Sequence, residues 1–326
     1  MKAIVQDRYG SPDVLALRDV ERPEPADGEV LVRVHAAAVN AYDWHFMRGD
    51  PYLARLGMGF GGPKQKVRGR DFAGRVEAVG KEVRDVAPGD EVYGDVDGAF
   101  AEYVCVSADL VERKPANLSF EQAAAVPLAA RTALKGLRDV AGVRSGQHVL
   151  VNGASGGVGT FAVQLAKAMG AEVTAVCRTR NVDLVAGLGA DHVVDYTKTD
   201  FTRAGVRYDV VFDLVGNHSL AALRRTLTAT GTLLLSGGGV SRGGSLFGPM
   251  GLMIRAQVVA RFVRGQRIVV LQTEPKKELL VALRELAEAG KITPVVDRTY
   301  KLAEVPEAIR YVETEHARAK VVITLV

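Results

Sequence analysis

The chain has 326 residues, 48% hydrophobic and 25% charged, with a formal net charge of +4, which suits roughly two domains and a large core. Its two cysteines, Cys105 and Cys177, exclude a disulfide framework and a four-cysteine structural zinc site, and a reducing cytosol is the expected compartment. The N-terminal MKAIVQDRYG lacks an apolar signal core, no run of about eighteen apolar residues marks a membrane span, and the basic cluster at 255–267 lacks interleaved aromatics, so neither membrane nor nucleic acid is an expected partner.

Residues 1–115 read as β-rich. Residues 29–35 (EVLVRVH) alternate polar and apolar, the period of a half-buried strand. Residues 76–80, 91–94 and 100–106 read similarly, separated by turn signals such as Pro88-Gly89-Asp90. The glycine-rich stretch 57–62 reads as a loop. SFEQ at 119–122 is a capping-box signature that opens a helix. Strands and helices then alternate: strands at 147–152, 172–176, 192–195, 209–215 and 232–236, helices at 159–169 and 182–188. Such alternation predicts a parallel sheet with helices on both faces, and the nearly continuous apolar strands suit it. A helix is expected over 276–289, then short strands at 293–297 and 320–326.

The sharpest motif is Asn152-Gly153-Ala154-Ser155-Gly156-Gly157-Val158-Gly159, which follows an apolar strand and opens a helix. That is the context of a dinucleotide fingerprint, here spaced A-x-G-x-x-G. Gly156 lets the backbone approach a pyrophosphate and Gly159 lets helix and strand pack closely. With Ser155, they are expected to present the helix N-terminus to the phosphates. After the second strand comes Cys177-Arg178-Thr179-Arg180-Asn181. NAD-preferring folds usually carry an acid there, about 20 residues after the glycines. Two arginines and a threonine hydroxyl suit a 2′-phosphate instead, so NADPH is expected over NADH.

These residues bring the chain into view as one that resembles the medium-chain dehydrogenase/reductase superfamily over essentially its whole length. It is most similar to the zinc-free quinone oxidoreductase and enone reductase branch. The segments that carry the resemblance are MKAIVQDRYGSPDVL, VNAYDW, GRDFAGRVEAVG, PGDEVYG, GAFAEYV, GASGGVG, LGADHVVDYT and ARAKVVITLV. It implies an α/β chain: a GroES-like β-rich catalytic domain at 1–118 and 266–326, a Rossmann doubly wound nucleotide domain at 119–265, an active-site cleft between them, and a homodimer. Zinc-dependent members bind their catalytic metal through Cys, His and Cys. The matching positions here are Asn40, Arg70 and Leu128, with Asp71 where those enzymes carry Glu.

Residue by residue, the resemblance implies that Asn40 lies in the cleft and that His45 replaces a lysine near the nicotinamide ribose. It puts Thr132 beside the nicotinamide ring, and Gly157 and Val158 on the phosphates. Arg178, Thr179, Arg180 and Asn181 match the 2′-phosphate loop, and Tyr196 a residue near the adenosine. Ser236, Gly237 and Gly238 match positions close to the nicotinamide. Lys320 matches a cofactor-contacting lysine of a closing Gly-Lys pair, although Ala319 stands where the glycine would be.

Hydride transfer asks the protein for orientation and electrostatics. When hydride reaches the β-carbon of an enone, the carbonyl oxygen gains charge and needs donors. Asn40, Tyr42, His45 and Tyr52 are the candidate catalytic donors. A quinone needs less help, and no committed acid–base pair is visible, so proximity is the economical mechanism. The expected activity is zinc-independent, NADPH-dependent reduction of quinones or α,β-unsaturated carbonyl compounds. The alternatives are a zinc-independent alcohol or aldehyde reductase and an NADPH-binding regulatory protein with little turnover. Cys177 is expected to be a passive buried thiol, and the remaining histidines structural.

Overall fold

The computed structural model describes residues 1–237, 250–314 and 318–325. Gly238, expected near the nicotinamide, lies outside them. The described strands are, in chain order, β1 (Lys2–Gln6), β2 (Leu15–Asp19), β3 (Glu29–Val39), β4 (Asp71–Val79), β5 (Glu91–Asp95), β6 (Tyr103–Ser107), β7 (Val111–Arg113), β8 (His148–Asn152), β9 (Glu172–Cys177), β10 (His192–Asp195), β11 (Tyr208–Asp213), β12 (Leu227–Leu235), β13 (Arg267–Val270), β14 (Val296–Lys301) and β15 (Lys320–Thr324). The chain divides into two compact units, Met1–Arg131 with Glu274–Val326, and Thr132–Thr273.

The first unit is the GroES-like one. Its main sheet runs β14-β15-β3-β4-β5-β7, with β6 also paired to β3, and β1 and β2 form a separate hairpin. β3 is longer than its alternating half suggests. Beyond His35 it continues as Ala36-Ala37-Ala38, all fully buried between β15 and β4. A strand covered on both faces needs no alternation, so the periodicity stops before the strand does. Ile4, Val32, Phe72 and Phe100 lead the core of this unit.

The second unit is a six-stranded, all-parallel sheet in the order β10-β9-β8-β11-β12-β13. That is the doubly wound order of a Rossmann fold. Val149, Leu150 and Val151 of β8 are fully buried, as a central parallel strand requires.

Both domain boundaries differ from expectation. The capping box does form, with Gln122 N donating to Ser119 Oγ at 3.2 Å and Ser119 N to Gln122 Oε1 at 3.1 Å. The helix it opens, Phe120–Ala124, packs on β3 and β4, so residues 119–131 belong to the first unit rather than to the nucleotide domain. The second boundary falls at 273/274 rather than 265/266. Residues 267–270 are the sixth parallel strand, too short to stand out in the sequence.

Ala319 is the sole non-glycine residue with positive φ among those described, at +56°. An L side chain in this region costs on the order of 1–2 kcal/mol, and glycine returns part of that in unfolded-state entropy. Ala319→Gly is therefore expected to stabilise the protein by about 1 kcal/mol. Urea unfolding would read this as a higher midpoint at unchanged slope; a lower midpoint would mean that Ala319 makes packing contacts worth more than its strain.

Candidate functional site

At the C-terminal ends of β8 and β9 the glycine turn takes the shape that its sequence requires. Gly153 carries the positive φ, +88°, which leaves Ala154 free to be an alanine, fully buried. A Cβ on Gly159 would stand 2.1 Å from the Gly153 carbonyl oxygen, so this position demands glycine. Helix Gly157–Ala168 begins at Gly156, which has no side chain to cap the first-turn N–H groups at the positive dipole end. The Asn152 amide donates to Asp213 Oδ1 at 2.8 Å and to Asn217 Oδ1 at 3.0 Å, joining the ends of β8 and β11.

The loop after β9 separates into two parts. Arg178 and Arg180 are exposed, whereas Asn181 is buried and donates its amide to Ser155 Oγ at 2.9 Å. Asn181 thus ties the loop to the glycine turn and stands apart from the exposed arginines expected to hold a phosphate. Thr179 donates its hydroxyl to Asp195 Oδ2 at 2.6 Å. In this arrangement its hydrogen is given to Asp195, with Thr197 Oγ1 a further 3.1 Å neighbour. Asp195, at the end of β10, went unnoticed because it lies beyond the second strand, where the fingerprint acid is sought. Its carboxyl is held down to about 2, first by the Thr179 hydroxyl and then by Thr197. Tyr196 beside it is half exposed. Thr132 is buried at the start of this unit. Ser236 and Gly237 follow β12, with Ser236 N donating to Asp213 O at 3.0 Å. Cys177 is buried, and burial pushes its thiol up to about 11, as a passive thiol requires.

The first unit holds a buried polar cluster. Lys320, 2% exposed, donates to Asn40 Oδ1 at 2.5 Å and to Asp71 Oδ2 at 3.3 Å. Asn40 donates its amide hydrogens to Asp71 Oδ2 at 3.0 Å and to Ala38 O at 3.3 Å. Leu128 N donates to the other Asp71 oxygen at 3.1 Å. Two of the three positions that match zinc ligands, Asn40 and Leu128, therefore meet at Asp71, while the third, Arg70, turns its guanidinium to Asp95. Both amide hydrogens of Asn40 are taken by partners within the protein. Lys320 points its ammonium into this cluster as the counter-ion of Asp71.

Beside the cluster, Asp95 is fully buried between two guanidiniums. It accepts from Arg70 Nε at 3.0 Å and from Arg131, which is itself fully buried. The Arg70 guanidinium stands over the Tyr42 ring, 4.8 Å from its centroid, and Tyr42 also stacks on Phe46. Burial is the main cause that pushes the Tyr42 phenol up to about 12, so it remains a protonated donor at neutral pH.

Tyr42 and His45 share helix Ala41–Arg48 at i,i+3 spacing, on one face. This helix starts where Asn40 N donates to Asp43 Oδ2 at 2.7 Å, and burial pushes the Asp43 carboxyl up to about 7. His45 stacks on Trp44, and burial lowers its pKa, so it is neutral at pH 7. Tyr52 does not join this group. It is 46% exposed and lies under Arg55, which also covers Tyr9.

Comparison with known proteins agrees with both units. Residues 26–116 match the alcohol dehydrogenase GroES-like domain, and residues 188–323 match the zinc-binding dehydrogenase family. A 2-methylene-furan-3-one reductase from Solanum lycopersicum is 36% identical over 340 residues, spanning 99% of this chain and 79% of that protein. The chloroplastic NADPH-dependent alkenal/one oxidoreductase of Arabidopsis thaliana is 35% identical over 338 residues, with the same two coverages. The quinone oxidoreductase structure from Coxiella burnetii superposes with a TM-score of 0.87 at 33% identity, covering 100% of this chain and 99% of the other. The chain belongs to the medium-chain dehydrogenase/reductase superfamily. Within it, the chain's place is the branch of quinone oxidoreductases and enone reductases.

Proposed function

We propose that this protein is an NADPH-dependent, zinc-independent reductase of conjugated carbonyl compounds, with enones or enals slightly ahead of quinones. One observation carries the reading: a buried ammonium occupies the position where a catalytic cation would be needed. Lys320 already neutralises Asp71, Arg70 brings a further positive charge, and Leu128 offers only a backbone N–H. A divalent ion entering here would meet two cations and a single available carboxylate, so the residues do not fit zinc. Without a Lewis acid, the full alkoxide charge formed from a simple ketone is poorly stabilised. Conjugation spreads that charge into an enolate, which weaker donors can hold.

NADPH fits the second unit. The uncapped helix N-terminus and the glycine turn would take the pyrophosphate, and Arg178 and Arg180 the 2′-phosphate. When bound, the cofactor supplies the hydride; this chain's residues orient it and receive the charge that develops on the substrate. The names of the Arabidopsis and Solanum relatives support the same reading. A cytosolic homodimer is part of the proposal. Its support is an apolar stripe at four-residue spacing, Ile254, Val258 and Phe262, 43%, 50% and 81% exposed, next to the edge strand β13.

The test is kcat/KM with NADPH for an enone, its saturated ketone and a quinone, on protein whose oligomeric state is measured by sedimentation. Enone and quinone should turn over well ahead of the ketone, and chelator should leave the rates unchanged. Equal rates for enone and saturated ketone would replace this reading with that of an alcohol dehydrogenase, and a monomer would remove the dimer from it.

A further inference from the structure

We infer that Arg70, with Tyr42 beneath it, is the electrophilic pair that holds the substrate's carbonyl oxygen, a role for which the sequence offers Asn40, Tyr42, His45 and Tyr52. The inference rests on the proposed reduction of conjugated carbonyls. It begins with hydrogen-bond accounting, because a donor already satisfied inside the protein cannot serve a substrate. Asn40 has two amide hydrogens, and Asp71 and Ala38 take both. Lys320 is 2% exposed and occupied by Asn40 and Asp71.

Arg70 differs from both. Its Nε is fixed on Asp95 at 3.0 Å, which orients the guanidinium plane and leaves the terminal nitrogens to other partners. Its side chain is 18% exposed, whereas Asp95 is fully buried. The remaining acid nearby, Asp97, lies 3.8 Å from Arg70 Nη1 and is 51% exposed, where solvent weakens its hold.

The local charge favours an anion. Asp95 is one carboxylate shared by Arg70 and Arg131, so the triad keeps one positive charge in excess, offset only by the half-exposed Asp97. Arg131 is the buried member of the triad, and its Nε and Nη2 meet no hydrogen-bond partner among the described residues. Tyr42, whose ring lies under the guanidinium, contributes a neutral O–H.

The chemistry balances with these residues as spectators in protonation. NADPH, when bound, would supply the hydride for the new C–H bond at the β-carbon and leave as NADP⁺. The C=C electron pair shifts towards the carbonyl, and the product is an enolate with its charge on oxygen. Arg70 and Tyr42 hold that oxygen by hydrogen bonds and keep their protons. The α-carbon then takes a proton from water.

The experiment compares wild type, Arg70→Gln, Arg70→Lys and Tyr42→Phe, each shown by thermal unfolding to be folded. The first readout is binding of 4-nitrophenol, whose phenolate mimics an enolate oxygen and is visible by absorbance. Wild type should favour the phenolate and lower the apparent pKa of the bound dye. Arg70→Gln should weaken phenolate binding by roughly ten- to a hundredfold, the value of a charge-assisted hydrogen bond. Arg70→Lys should restore part of it, since a lysine keeps the charge but not the fork. Tyr42→Phe should lose several-fold without touching the Asp95 pair. The second readout is kcat/KM, which should fall further for an enone than for a quinone, with NADPH affinity unchanged. Wild-type phenolate affinity in Arg70→Gln, or no phenolate preference in wild type, overturns the inference. If wild type reduces neither substrate class while the dye still responds to Arg70, the proposed function fails and the anion site stands.

Discussion

Replacing Arg178 and Arg180 together by alanine is expected to weaken NADPH binding by roughly 10²–10³-fold and to leave NADH nearly unchanged. Each charge-assisted hydrogen bond contributes about 1.5–3 kcal/mol, and every 1.4 kcal/mol is tenfold in affinity. The structure concentrates this burden on the two arginines. The third donor of the loop, Thr179, has given its hydrogen to Asp195, and Asn181 has turned inward to Ser155. Both arginines are exposed, so the effect should shrink at high salt. Fluorescence titration with each cofactor reads the result. Equal dissociation constants for NADPH and NADH in the wild type would remove the 2′-phosphate from the account.

Lys320→Met is expected to destabilise the protein by about 3–5 kcal/mol, because it leaves the buried Asp71 carboxylate without its cation. Asp71 is fully buried and would keep only the Asn40 amide and the Leu128 N–H. The loss should be smaller at about pH 5 than at about pH 8, since protonation of an unpaired buried carboxyl removes the uncompensated charge. Adding Asp71→Asn should recover much of it, because a neutral amide needs no counter-ion. Denaturant unfolding of wild type and the two variants at both pH values measures these terms. A variant within 1 kcal/mol of wild type would mean that water reaches Asp71 and the cluster is not dry.

The fold was legible wherever local signals repeat. Strand–helix alternation and the glycine turn announced the parallel sheet, and EVLVRVH announced β3. What escaped notice lacked such a signal. β13 has four residues, and the alanine half of β3 has no period. The site was legible by residue type but not by commitment. Asn40, Lys320 and Thr179 carry the right chemical groups, yet each is already engaged by a partner far away in the chain, Asp71 or Asp195. Arg70 shows the reverse. The sequence marks it as a lost metal ligand, and only its tether to Asp95 through Nε shows that its terminal nitrogens face the exposed Asp97 and Tyr42 rather than the buried acid.

The order of the chain gives the buried cluster a place in time. As residues leave the ribosome, all six strands of the parallel sheet are out before β14 and β15 are made. β15 pairs on one side with β14 and on the other with residues 36–39 of β3, which must wait through the synthesis of an entire unit for their neighbour. Lys320 is the first residue of that last strand. Asp71 is therefore born without its counter-ion, and a nascent chain truncated before residue 320 carries a finished nucleotide sheet and, separately, a GroES-like unit with an open edge and an unneutralised acid.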